Sequence, residues 1–404
     1  MTRKKIIWIS SIVVILLLII IAIIYYINNR IVIDNTSFTL VDDLNVNIYS
    51  VADASDFVEQ IDGEIISSDE IDTTRLGEQT VSFLYLNKDN KKRKGVFEVE
   101  VRDLESPLVW LGNSYSVPVN SEDDFIDSIM CADNYDSNPS CTVEGSYDLS
   151  TVGSYDLKFV AKDSSNNESI IDFTLYVYDN TNIDSSPQEN NDIVVTNFED
   201  VLNDYKTDDT EIGIDVSKWQ GEIDFTKVKE AGANFVMIRV GSQQGVGGEY
   251  ILDPYFEENI KKALDNDLKV GIYFYSYADS TKEAEKQADW VLKQIDNYDI
   301  TLPIAFDWEC YSFFNQMELS LFGLNQVAES FLAKVEKEGY DGMLYGSKNY
   351  LNSIWKYHDY DVWLAHYTDE TDYDDEYVMW QLCQNGVIDG INGMVDINIL
   401  FRNI

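Results

Sequence analysis

The chain has 404 residues, 45% hydrophobic and 25% charged, with 6 Pro and 21 Gly; that is enough for two to four packed domains and rules out a collagen-like or proline-rich chain. Its 72 acidic and 29 basic residues give a formal charge of −43, which makes phosphodiester backbones unfavourable partners, so no nucleic acid is expected. The two histidines and four cysteines do not show structural-zinc spacing, so neither a metal site nor a cofactor is expected.

Residues 6–27 form 22 consecutive uncharged residues, long enough at about 1.5 Å per residue to span a hydrocarbon core of about 30 Å. Arg3, Lys4 and Lys5 precede this run, so the positive-inside rule predicts a single-pass anchor in the lipid bilayer. The N-terminus would be cytoplasmic and everything beyond residue 30 outside a bacterial cell membrane. A cleaved signal peptide would have a shorter apolar run and a small-residue cleavage site, which YYINNR lacks.

Residues 72–103 align without gaps on residues 148–179, a shift of 76 that matches Gly77 with Gly153, Phe83 with Phe159 and Asp103 with Asp179. Each copy reads as two alternating strands joined by a polar turn, which predicts two small antiparallel all-β modules, 31–103 and 104–179. They resemble the bacterial immunoglobulin-like modules of surface proteins. Outside the membrane, Cys131 and Cys141 are expected to close a disulfide loop worth about 2–3 kcal/mol. Residues 180–205, containing SSPQENND, have no sustained period and read as a linker.

From about residue 206 to 404, short apolar runs alternate with helical stretches until about Tyr350, after which strands dominate. Period-two splitting gives each strand an aliphatic face and a second face. The second face carries Gly213 and Asp215, then Met237 and Arg239, then Gly271, Tyr273 and Tyr275. It continues with Ala305, Asp307 and Glu309, then Trp363, Ala365 and Tyr367, and ends with Asp396 and Asn398. Such a face, small near the strand starts and polar or aromatic near their ends, predicts a closed α/β barrel with its site at the C-terminal mouth. In an eight-stranded barrel the first and last strands are neighbours and the fourth lies across from them. Asp215, Asp307, Glu309 and Asp396 then face one another, as glycoside hydrolysis requires of its paired carboxylates. Trp219, Tyr273, Tyr275, Trp363 and Tyr367 are candidate sugar-binding aromatics, and core packing explains each of them equally well.

The runs GIDVSKWQG, PIAFDWE, WLAHY, MWQ and VDINIL, in this order over about 210–402, resemble the glycoside hydrolase family 25 lysozymes. The resemblance implies an irregular TIM-like (β/α)5(β)3 barrel. It also implies N-acetylmuramidase activity on the β-1,4 bond between N-acetylmuramic acid and N-acetylglucosamine, with peptidoglycan glycan strands as the partner. Glu309 would be the general acid, Asp307 would orient or stabilise the reacting sugar, and Asp215 and Asp396 would complete the site. Either an Asp or the substrate acetamido group serves as internal nucleophile. Phe274 stands where relatives often carry His, on the outward face. The alternative function is a non-catalytic glycan-binding or scaffolding surface protein. A cysteine nucleophile, Cys310 or Cys383 with His358 or His366, is disfavoured: Cys310 alternates away from Glu309, and His366 falls on the helix-packing side.

Overall fold

The computed structural model describes residues 19–20, 31–122, 125–179, 194–356 and 359–401. Among these residues no helix is long and apolar enough to cross a membrane. Apart from Ile19 and Ile20, the apolar run 6–27 lies outside them, as does 180–193.

The chain divides into two compact units, one ending at Glu105 and one running from Ser106 to Ile404. In the first unit, strands Gly77–Asn87 and Lys92–Arg102 form a long hairpin, and Gly63–Ser68 adds antiparallel to its first strand. The hairpin's second strand pairs in parallel with Asn45–Asn47 and Val32–Ile33. Val46, Ile48, Val81, Val99 and Val101 fill the core beneath. The second copy of the repeat opens the second unit. Its hairpin, Gly153–Lys162 and Glu168–Tyr178, likewise pairs in parallel with an earlier strand, Ser114–Pro118. The sheets are therefore mixed and not purely antiparallel as expected. The long connections between the early strand and the hairpin allow the parallel alignment, which a tight turn forbids. Cys131 and Cys141 are disulfide-bonded within this second module.

The barrel strands are β1 (Thr210–Val216), β2 (Phe235–Gln243), β3 (Lys269–Tyr275), β4 (Ile304–Asp307), β5 (Gly342–Ser347), β6 (Asp361–Ala365), β7 (Met379–Val387) and β8 (Val395–Phe401). After the first five strands come the helices α1 (Phe225–Glu230), α2 (Phe256–Asp265), α3 (Thr281–Ile295), α4 (Leu321–Lys337) and α5 (Lys348–Ser353). β1 to β7 run parallel in sequence order. β8 closes the barrel antiparallel to both β7 and β1. The helices follow from amphipathic spacing and caps. In α3, Ser280 accepts the Glu283 N–H, and Ala284, Ala288, Val291 and Ile295 form the buried stripe. In α4, Ser320 accepts the Gly323 N–H, and Leu324, Val327, Phe331 and Val335 are buried.

The aliphatic strand faces pack against these helices, and the opposite faces fill the barrel. That interior is not uniformly small near the strand starts, because Phe235, Met237, Met343 and Met379 lie within it. Gly213 and Gly271 make room for them. A Cβ on Gly213 would fall 2.6 Å from the Phe235 ring, and one on Gly271 would fall 2.3 Å from Met237 Sδ. Small and large residues on adjacent strands thus interdigitate.

The expected linker ends sooner than residue 205. Thr196–Asn197 pairs in parallel with β7, and helix Phe198–Tyr205 buries Phe198 and Val201 against the barrel. Phe198, Val201, Leu202 and Tyr205 follow i, i+3, i+4, i+7 spacing, which is hard to see next to the polar run before it.

The second module docks on the barrel at segment Tyr311–Gln316, which begins two residues after Glu309. Asn315 bridges the two: its Oδ1 accepts the Cys131 N–H at 3.2 Å, and its Nδ2 donates to the carbonyls of Ile129 at 2.9 Å and Asp127 at 3.2 Å. Met130 and Ala132 are buried in the barrel's own apolar cluster. Asn315→Ala strands three backbone groups and should destabilise the 106–404 unit by about 2 kcal/mol. Hydrogen exchange should show lost protection at residues 129–132, and unchanged protection there would refute the bridge.

Candidate active site

β4 ends at Asp307, which faces inward; just beyond it Trp308 turns into the helix-side core and Glu309 lines the pocket. Trp308 is fully buried between Phe314 and Trp355 on the helix side, and this anchors the turn that presents Glu309. Because β8 runs antiparallel to β1, Asp396 pairs directly with Asp215. A cavity of about 170 Å³ is lined by Asp215, Asp307, Glu309 and Asp396, together with Arg239, Tyr273, Tyr275, Tyr345, Trp363, Gln381 and Trp219. The four sequence-predicted carboxylates are thus gathered in one pocket.

Their protonation follows from burial and from one polarised network. Asp215 Oδ2 accepts from Gln381 Nε2 and Asn398 Nδ2, each at 2.8 Å. Gln381 Oε1 in turn accepts from the hydroxyls of Tyr345 and Tyr367, each at 3.0 Å, and Asn398 Oδ1 accepts from the Trp363 indole at 2.8 Å. These donors fix which end of each amide faces Asp215. Burial raises the Asp215 pKa while the two amides oppose the rise. Asp396 has no such amide pair; burial first, and then the Asp215 charge, push it up to about 9. Asp396 therefore holds a proton and donates it toward Asp215.

Asp307 is held well above the carboxylate range by burial and by the Glu309 charge, with Arg239 opposing. Among the described residues its buried Oδ1 has no hydrogen-bond partner. Burial is also the first cause of the raised Glu309 pKa; a Tyr345 hydrogen bond opposes it and the Asp215 charge adds to it. Arg239 is fixed by Asp253, whose Oδ2 accepts from Nε at 2.9 Å and Nη2 at 2.7 Å. Such a site can hold one carboxyl neutral as an acid beside an ionised one.

The aromatic candidates divide. Trp219 is 77% exposed at the pocket edge, and Tyr275 lines the wall. Trp363 reaches the pocket but is 1% exposed, edge-on to Tyr345 at 4.8 Å and Tyr273 at 5.8 Å; it supports the site from beneath and offers no face to a sugar. Tyr367 lines an adjoining pocket. Arg239, Gln381, Asn398 and Tyr345 were not singled out as site residues, although inward alternation marked Arg239 and Asn398. Phe274 is buried on the outward face against Tyr250 and Trp290. Cys310 is buried, with its thiol pKa pushed up by burial, and Cys383 likewise, so neither is a ready thiolate. His366 lines the adjoining pocket together with Lys348, Asn349 and Tyr350 of α5. β6 ends at Ala365, so alternation no longer applies, and the ring meets Thr371 Oγ1 at 2.9 Å beside the adjoining pocket. His358 lies outside the described residues.

The model of glycosyl hydrolases family 25 matches residues 214–391. The uncharacterized protein YegX of Escherichia coli K12 is 32% identical over 192 residues, 46% of this chain and 68% of YegX. The chain belongs to glycosyl hydrolases family 25. It is a glycoside hydrolase. An autolytic lysozyme of Clostridium acetobutylicum is 28% identical over 46% of this chain and 54% of its own length. A solved family 25 glycosyl hydrolase from Bacillus anthracis covers 49% of this chain and 93% of its own, at 20% identity and a TM-score of 0.42.

The shared proton has a measurable cost in this family 25 pocket. Asp396 titrates near 3.8 unfolded and about 9 folded, so across that window the folded state keeps a proton that the unfolded state releases. Its contribution to stability therefore falls as pH rises. Asn at this position donates to Asp215 without titrating. The melting temperature of Asp396→Asn relative to the parent should rise from pH 5 to pH 8, as read by calorimetry. A pH-independent difference would refute the protonated state.

Proposed function

We propose that the protein is a membrane-anchored muramidase that hydrolyses the β-1,4 bond between N-acetylmuramic acid and N-acetylglucosamine in peptidoglycan. The observation that carries this reading is the convergence of four carboxyl groups in one pocket of a family 25 barrel, with raised pKa values. Glu309, the last residue of the DWE run and less buried than Asp307, is the general acid that protonates the leaving oxygen. Asp307 stabilises the reacting sugar through its unpartnered oxygen, and ionised Asp215 supports developing positive charge. Trp219 and Tyr275 contact the glycan. Residues 6–27 tether the enzyme, and the two immunoglobulin-like modules set its depth in the wall. Tethering raises the effective concentration on nearby strands and favours local remodelling.

Glu309→Gln should lower release of reducing ends from purified peptidoglycan by at least about 100-fold with folding intact. Near-normal turnover would overturn the assignment, and an inactive parent that still binds glycan would favour the non-catalytic reading. The parent rate should decline at alkaline pH as Glu309 loses its proton. Cell fractionation should recover full-length chain with membranes, and a mainly soluble form lacking residues 1–30 would exclude the tether.

A further inference from the structure

Cleavage between two sugars needs a seat on each side of the bond, and the carboxylate cavity of about 170 Å³ is small against the roughly 300–1,000 Å³ of ordinary ligand sites. A second pocket of about 470 Å³ adjoins it and shares Glu309 and Tyr345 as walls. Ser347, Lys348 and Asn349 line it with polar groups, and Tyr350 and Tyr367 with aromatic surface. Ala365 and His366 also line it, and a further wall is Trp110, which belongs to the second β module and not to the barrel.

Trp110 is held in place from both sides. Its N–H donates to the Met130 carbonyl at 2.8 Å, inside the segment that Asn315 pins to the barrel. Its partly buried ring stacks on Tyr311 at 6.2 Å with 22° between planes, and meets Tyr350 at 5.1 Å. The Tyr350 hydroxyl donates to the Glu309 carbonyl at 3.3 Å, so the aromatic ledge is continuous with the backbone of the proposed acid. An indole beside a row of amide, hydroxyl and ammonium groups suits the apolar face and polar rim of an N-acetylated pyranose.

We propose that this pocket is a glycan subsite that seats an amino sugar adjoining the scissile bond, and that Trp110 makes the second β module part of the substrate cleft. The proposal rests on the muramidase reading. Its test uses the full-length chain, with Trp110→Ala and Trp110→Phe assayed on purified peptidoglycan. Binding of a β-1,4-linked N-acetylglucosamine tetramer is measured with each change placed on Glu309→Gln. Trp110→Ala should raise KM about tenfold, with little change in kcat, and weaken tetramer binding by a similar factor, while Trp110→Phe recovers most of both. Parent-like KM and tetramer affinity in Trp110→Ala would overturn the subsite. So would a Phe variant as impaired as the Ala variant, with an equally lowered melting transition, since that marks a docking role alone. If the parent releases no reducing ends yet its tetramer affinity depends on Trp110, the muramidase reading fails and the subsite stands.

Discussion

The pairing of Asp215 with Asp396 in the barrel interior is the constraint to which the groups around them respond. Two ionised carboxylates in register on neighbouring strands, both withdrawn from water, repel strongly at low dielectric, so one of them stays neutral. The amides decide which. Gln381 and Asn398 both turn their N–H groups toward Asp215 because their carbonyl ends are occupied by Tyr345, Tyr367 and Trp363. The charge therefore rests on Asp215, and the aromatic residues in the barrel interior act on the carboxylates through the amides between them.

That arrangement depends on the direction of β8. In an all-parallel barrel, a residue at the second position of the last strand would sit at the closed end, far from the mouth. The reversal carries Asp396, near the start of β8, to the level of Asp215, near the end of β1. It also explains why no helix is needed between β7 and β8, which are hydrogen-bonded neighbours running in opposite directions and need no crossover.

The inward placement of Asp215, Asp307, Glu309 and Asp396 was legible because strand alternation has a period of two and every flanking residue except Cys310 is aliphatic or aromatic. Gln381 and Tyr345 were less legible. A buried amide or phenol on a strand looks like any polar residue until its partners on β1, β6 and β8 are known, and those partners are distant in sequence. Trp363 stayed ambiguous between core packing and sugar contact because exposed and buried indoles read identically in a sequence; its burial and its edge-on contacts with Tyr273 and Tyr345 favour the packing role. Helix Phe198–Tyr205 was hidden for another reason: eight residues give two turns, too short for a periodic signal to stand out.

The repeat spacing made the paired hairpins visible, yet nothing in it indicated that the second module docks on the barrel. The docking combines the Asn315 side chain, backbone bonds from Leu321 and Phe322 to the carbonyls of Asp133 and Asn134, the Trp110 ring, and Met130 and Ala132 entering a core built mostly by residues far along the chain. Its location has a mechanical consequence. Glu309, Cys310 and the docked segment Tyr311–Gln316 are contiguous, Trp308 is clamped by Phe314 of that same segment, and the Cys310 thiol donates to the Ser276 carbonyl. The carboxyl that must stay correctly aimed is thus held by buried tryptophan on one side and by a docked module on the other. The loop at the barrel mouth is thereby tied both to the barrel core and to the docked module.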